Sequence, residues 1–169
     1  MQKGSIMGSI SNIKTYESLA ETETADDGYV GIDYSLLGNN DFKTEKDLSD
    51  YINDNIKTFC TEICDDVYIA HEVDKPFHYK GKRVDLFIEC EKSLFVIELK
   101  NPRHMPANVQ AIGQILDYGR RINGIKKMQL IIITTKFCID TAQTIKHYHL
   151  PIRYMYFSRN QCFEYIGGI

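Results

Sequence analysis

Residues 83–101 read RVDLFIECEKSLFVIELKN, two short apolar runs joined by the polar pair Glu91-Lys92. Runs of this composition, V-D-L-F-I and L-F-V-I-E-L, belong to strands near the centre of a sheet, and the pair between them reads as a tight hairpin turn. With the turn centred on Glu91 and Lys92, antiparallel pairing sets residues whose numbers sum to 183 opposite one another. Asp85 and Glu98 are then cross-strand neighbours, with Cβ atoms roughly 4.5–5.5 Å apart, where like charges destabilise a sheet. Side chains alternate along a strand, so Lys100 shares the face of Glu98 while Leu99 points into the opposite layer. Two carboxylates and an ammonium converge on one small surface among strands too apolar to face water. Charges there are costly unless they bind something, and a cation between the carboxylates is the expected occupant.

Upstream of the hairpin, T-E-K-D at 44–47 offers a threonine N-cap with an acidic residue three positions later, close to a capping box. Leu48, Ile52, Ile56, Phe59 and Ile63 recur at helical spacing, which predicts one amphipathic helix from Thr44 to about Cys64. Glu45 falls in its first turn, clear of the apolar stripe. The helix dipole alone accounts for a glutamate there, so Glu45 gains interest only if the helix start abuts the carboxylate pair. Val67–Val73 and Pro76–Tyr79 read as extended segments, the second broken by Pro76, and Gly81-Lys82 turns the chain into the hairpin.

Downstream, N-P-R-H-M-P carries two prolines and reads as a loop, followed by a helix over about 107–122 that ends at Asn123-Gly124. Val109, Ile112, Leu116 and Gly119 are expected on its apolar side. Gln110, Gln114 and Tyr118 lie on another line at four-residue intervals, with Arg121 beyond them. That line is either an ordinary solvated face or a wall of the site. K-M-Q-L-I-I-I-T-T at 127–135 reads as a buried strand, 137–148 as a helix, 151–157 as a further strand and 161–166 as an edge strand. The expected class is α/β, a mixed β-sheet flanked by α-helices.

The chain has 169 residues, suited to one domain with a real core, and 43% hydrophobic with 25% charged residues fits a soluble globular protein. No long apolar run or secretory leader is evident, so no membrane is expected and a cytoplasmic setting is the default. Residues 1–43, rich in Ser, Thr, Gly, Asn and acidic residues, read as a partly irregular arm, with a short strand or helical turn within 29–37, ahead of a domain over 44–169. Five scattered cysteines suit reduced, buried thiols better than a disulfide framework, and Cys60 and Cys64 lack the partners that would complete a metal set. The net charge is -3, yet the segment from Glu17 to Asp54 holds eleven acidic and two basic residues against five and eleven from Lys75 to Lys127. A basic half around the carboxylate pair permits local phosphate binding despite the global sign; an ordinary solvated surface is the bland alternative.

Asp85, then Glu98-Leu99-Lys100, on a hairpin preceded by a helix with an early glutamate, resembles the PD-(D/E)XK nuclease superfamily. Gln114-Ile-Leu-Asp-Tyr118 looks like the QxxxY motif of its RecB-like and NucS-like branches. T-E-K-D-L-S-D-Y-I and A-I-G-Q-I-L-D-Y are similar to the NucS-type catalytic domain, and the likeness spans residues 44–166. Val84 stands where the superfamily usually has proline. No counterpart of the separate DNA-binding and dimerisation domain of NucS-type enzymes is evident, so mismatch specificity is not carried over.

The resemblance implies a restriction-endonuclease-like core and a divalent-metal-dependent nuclease acting on nucleic acid, with DNA the expected polymer. It implies Mg2+ or Mn2+ on Asp85, Glu98 and the main-chain carbonyl of Leu99, with Glu45 reaching a metal directly or through water. Lys100 would orient or deprotonate the attacking water, with a lowered pKa beside a metal. Gln114 and Tyr118 would hold a phosphate or base, and Arg103, Arg120 and Arg121 would contact the backbone. A homodimer, a partner protein or nonspecific cutting are all open as sources of recognition. The alternative from another class is a non-catalytic nucleic-acid-binding or assembly domain, distinguished by metal-independent binding without cleavage.

Overall fold

The computed structural model describes residues 14–15, 40–63, 66–76, 82–101, 106–122, 126–160 and 162–165. Their elements are β1 (Lys14–Thr15), α1 (Glu45–Asp54), α2 (Ile56–Ile63), β2 (Tyr68–Pro76), β3 (Arg83–Cys90) and β4 (Ser93–Lys100). They continue with α3 (Pro106–Arg121), β5 (Lys127–Thr134), α4 (Ile139–His147), β6 (Ile152–Phe157) and β7 (Cys162–Tyr165).

The two-residue turn sets the hairpin in the expected register, with Leu86 opposite Ile97, Phe87 opposite Val96 and Ile88 opposite Phe95. Around it the seven strands lie in the order β1-β7-β6-β5-β4-β3-β2. β4, β5 and β6 run parallel, whereas β2–β3, β3–β4 and β6–β7 are antiparallel, so the sheet is mixed and the fold is α/β. β4 is buried along its length except at Lys100, as a strand covered on both faces must be.

Its residues alternate between two apolar layers. Phe95, Ile97 and Leu99 join Leu48, Ile52, Phe59 and Ile63 of α1 and α2, while Val96 joins Ile115 and Tyr118 of α3 and Ile145 of α4. Glu98 is in phase with Val96 and belongs to the α3 face.

The capping box forms as expected: Asp47 N–H donates to Thr44 Oγ1 and Thr44 N–H to Asp47 Oδ2, both at 3.0 Å. The single helix expected over 44–64 is instead two. Asn55 ends α1, its side-chain amide donating to the Tyr51 carbonyl at 2.8 Å, and its own carbonyl then accepts from Phe59 N–H in α2. The apolar stripe continues across the break, so periodicity could not reveal it.

Other boundaries also differ. β2 runs unbroken through Val73 and Pro76, because a proline at the strand's last residue costs little. β7 is not the sheet's edge, since Lys14 and Thr15 pair beyond it. On α3 the buried line is Ala111, Ile112, Ile115 and Tyr118, whereas Val109 is 45% exposed. Gly119 does face the sheet, where a Cβ would come within 2.9 Å of the Leu130 methyls. The four described cysteines, Cys60, Cys90, Cys138 and Cys162, are buried free thiols. The segments proposed at 29–37 and 77–79, Gly81, Cys64, Arg103 and the helix stop at 123–124 lie outside the described residues. Among the described residues no helix is long and apolar enough to cross a membrane.

Candidate active site

Asp85 interrupts the sheet. Val84 pairs with Lys75 and Leu86 with Val73 across β2, pairing with β4 begins only at Leu86, and the ladders step over the residue between. Its position is consistent with the Glu98 register, but the carboxylate also turns to the strand itself: Oδ2 accepts from Leu99 N–H at 2.7 Å. Opposite the gap, Asp74 of β2 has φ 52°, a left-handed conformation that aspartate tolerates better than most residues.

Glu98 is 2% exposed. Oε1 accepts from the Lys100 ammonium at 2.6 Å, while Oε2 is buried without a hydrogen-bond partner. A buried carboxylate oxygen left in that state is costly unless protonated or bound to a cation. Burial raises the Glu98 pKa well above the usual carboxylate range and the Asp85 charge raises it further. Burial likewise raises Asp85, with Glu45 and Asp74 adding repulsion. For Lys100, burial pulls down but Glu98, Glu45 and Asp85 pull up more strongly, so its pKa ends above the ordinary lysine value. The expected lowering is thus reversed by the carboxylates around the ammonium.

Glu45 does abut the pair. Its Oε1 lies 3.8 Å from Lys100 Nζ, and its Oε2 accepts from Asn101 N–H at 3.3 Å. From the other layer, Tyr118 approaches: burial and then the charges of Glu98 and Asp85 push its hydroxyl up to about 12, and the Gln114 side chain hydrogen-bonds to it. Gln114 itself is exposed, so the Gln114–Tyr118 line is neither wholly solvated nor wholly core. One end is buried within the field of the carboxylates and the other faces solvent.

The surroundings are electrically divided. On the α1 side a cleft is lined by Glu45, Asp50, Asp74 and Asp85, with Lys46. On the α3 side Asp117 lies 3.0 Å from each of Lys82, Arg120 and Arg121, and these cations hold its carboxyl far below the ordinary range. Arg121 is thus committed to Asp117, while the more exposed Lys82 and Arg120 carry the surplus positive charge outward. A larger concavity along the outer face of α4 contains none of these residues.

The arrangement brings together Glu45, Asp85, Glu98, Lys100 and Tyr118, with Gln114 reaching in from solvent. It adds four residues the sequence reading did not select. Asp74 had no signal; Lys82, Asn101 and Asp117 were legible only as neighbours of the hairpin, the E-x-K triplet and the Gln114–Tyr118 motif. Among the described residues no three Asp, Glu, His or Cys side chains stand close enough to form a ready-made metal cage. No protein-family model matches the chain, and no curated protein matches it either.

Proposed function

We propose that the chain is a divalent-metal-dependent phosphodiesterase of the PD-(D/E)XK type, with a restriction-endonuclease-like core, that hydrolyses nucleic acid, DNA in the first instance. The observation that carries this reading is the orphaned Oε2 of Glu98, buried beside a second carboxylate and an ammonium at the end of a central strand. A buried oxygen without a partner, with a second disfavoured carboxylate beside it, costs stability that a bound cation would offset.

Asp85 and Glu98, with the Leu99 carbonyl, are the residues that would hold Mg2+ or Mn2+, and Glu45 would reach the ion directly or through water. Such an ion lowers the pKa of bound water and offsets charge on the phosphate. Lys100, held protonated by its carboxylate neighbours, positions and polarises the attacking water; release of its proton requires that their negative charge be taken up elsewhere. Tyr118 and Gln114 offer a hydroxyl and an amide to a phosphate or base at the mouth of the site. Lys82 and Arg120 favour a phosphate-bearing strand on the α3 side, and the acidic cleft beside α1 disfavours one there.

The test is cleavage of plasmid and single-stranded DNA with Mg2+ or Mn2+ by wild type, Glu98→Gln and Lys100→Ala. Metal-dependent cleavage lost in both variants is expected. Variants as active as wild type overturn the assignment, and metal-independent binding without cleavage of any nucleic acid favours a non-catalytic binding domain.

A further inference from the structure

Asn101 follows Lys100 directly and joins the start of α1 to the end of β5 through three of its polar groups. Its N–H donates to Glu45 Oε2 at 3.3 Å, at the start of α1. Its side-chain amide donates to the Phe42 carbonyl at 2.8 Å, in the approach to that helix. Its side-chain oxygen accepts from Thr135 Oγ1 at 2.6 Å, just beyond β5. Thr135 is fully buried, and its N–H donates to the Lys100 carbonyl at 3.0 Å.

We propose that Asn101 and Thr135 form a positioning latch that fixes the start of α1 against the end of β4, and so sets Glu45 beside Lys100. The proposal rests on the hydrolytic reading of Glu45, Glu98 and Lys100. Its physical content is that the capping box orders the first turn of α1 internally but does not attach that turn to the sheet. Leu48 and Ile52 anchor the helix through apolar contacts, which are non-directional. Glu45 is 45% exposed in its side chain, so burial does not hold it. Three hydrogen bonds from a residue adjacent to Lys100 supply the directional constraint, and displacements of about 1 Å at a reacting centre are costly. Asn101 touches no reacting atom in this scheme and acts through Glu45 and Lys100.

The experiment compares wild type, Thr135→Val, Thr135→Ser and Asn101→Ala in metal-dependent DNA cleavage, resolved into kcat and KM. Two further readouts accompany it: the rise in melting temperature on Mn2+ titration, and backbone hydrogen exchange at Asp47 and Leu48 in the metal-free protein. Thr135→Val and Asn101→Ala are expected to lower kcat, or to raise the Mn2+ concentration required, by about 10- to 100-fold with little change in KM, as for other residues that orient ligands indirectly. Faster exchange in the first turn of α1 accompanies that loss, and Thr135→Ser, which keeps the hydroxyl, restores both. Should Asn101→Ala fail to fold, the Thr135 pair decides alone. Thr135→Val that melts lower but keeps the wild-type kcat, Mn2+ requirement and first-turn exchange overturns the latch and leaves only a packing role. A wild type that cuts no phosphodiester removes the hydrolytic reading and the latch with it, whereas an active wild type with unaffected variants removes the latch alone.

Discussion

The ammonium of Lys100 lies 2.6 Å from Oε1 of Glu98, with side chains 11% and 2% exposed, and this contact satisfies only one of the two glutamate oxygens. Glu98 is therefore held in an environment that disfavours its charge. Replacing it with glutamine removes a disfavoured charge while keeping an oxygen for Lys100. Glu98→Gln is expected to abolish metal-dependent cleavage and, at pH 8 in chelator, to melt no lower than wild type, because removing a disfavoured carboxylate charge offsets the weakened Lys100 contact. Parallel activity assays and thermal melts check both halves; an inactive variant that melts well below wild type contradicts the account.

The same groups set a pH dependence. Asp85 and Glu98 both titrate above their ordinary values in the folded chain. Between about pH 4 and neutrality the folded state therefore holds more protons than the unfolded state, and stability falls as pH rises through that window. Melting in chelator from pH 4.5 to 8 is expected to show this decline beyond what Glu98→Gln shows. Saturating Mg2+ is expected to reverse it at pH 8, by about 2.7 kcal/mol at a hundred times Kd. A melting temperature that rises steadily across the window in chelator speaks against raised carboxylates.

Gln114 and Tyr118 separate binding from folding. Gln114 is exposed, so Gln114→Ala should keep stability within about 0.5 kcal/mol, and losing its amide should reduce kcat/KM by about tenfold, the value of one hydrogen bond. Tyr118→Phe retains the buried ring that packs on α3's core line and should show a loss of similar size. Steady-state kinetics with denaturant melts tests this, and unchanged kinetics in both variants would remove them from the site.

Lys82 and Arg120 bear on the path of the polymer. If each neutralises one phosphate, the double variant Lys82→Ala/Arg120→Ala should bind DNA with a log–log salt slope shallower by about 2, while hydrolysis of a small phosphodiester ester is unchanged. DNA binding measured at several salt concentrations decides it. An unaltered slope means the cluster only satisfies Asp117.

What the sequence determined by itself is local. A two-residue turn and a period of two fix the register of β3 and β4, which is why Glu98 and Lys100 could be placed on one face from residue numbers alone, whereas the gap in the ladder at Asp85, expected to pair with Glu98, appeared only in the structure. The threonine N-cap fixed where α1 starts, and uninterrupted apolar runs marked the buried parallel strands. What only the tertiary structure decided is which of these local features meet. The break at Asn55 left the apolar period intact, so spacing could not show it. Spacing left the line of Gln110, Gln114 and Tyr118 open between a solvated face and a wall of the site, and only the docking of α3 on β5, with Gly119 against Leu130, buried Tyr118 within the field of Glu98 and Asp85. Glu45 is far from Lys100 along the chain, and spacing alone does not relate them; they come within 3.8 Å because α1 packs its stripe on the same sheet and Asn101 N–H donates to Glu45 at the end of β4. Periodicity specifies which face of an element is buried, whereas the pairing of charges between elements depends on how those faces stack.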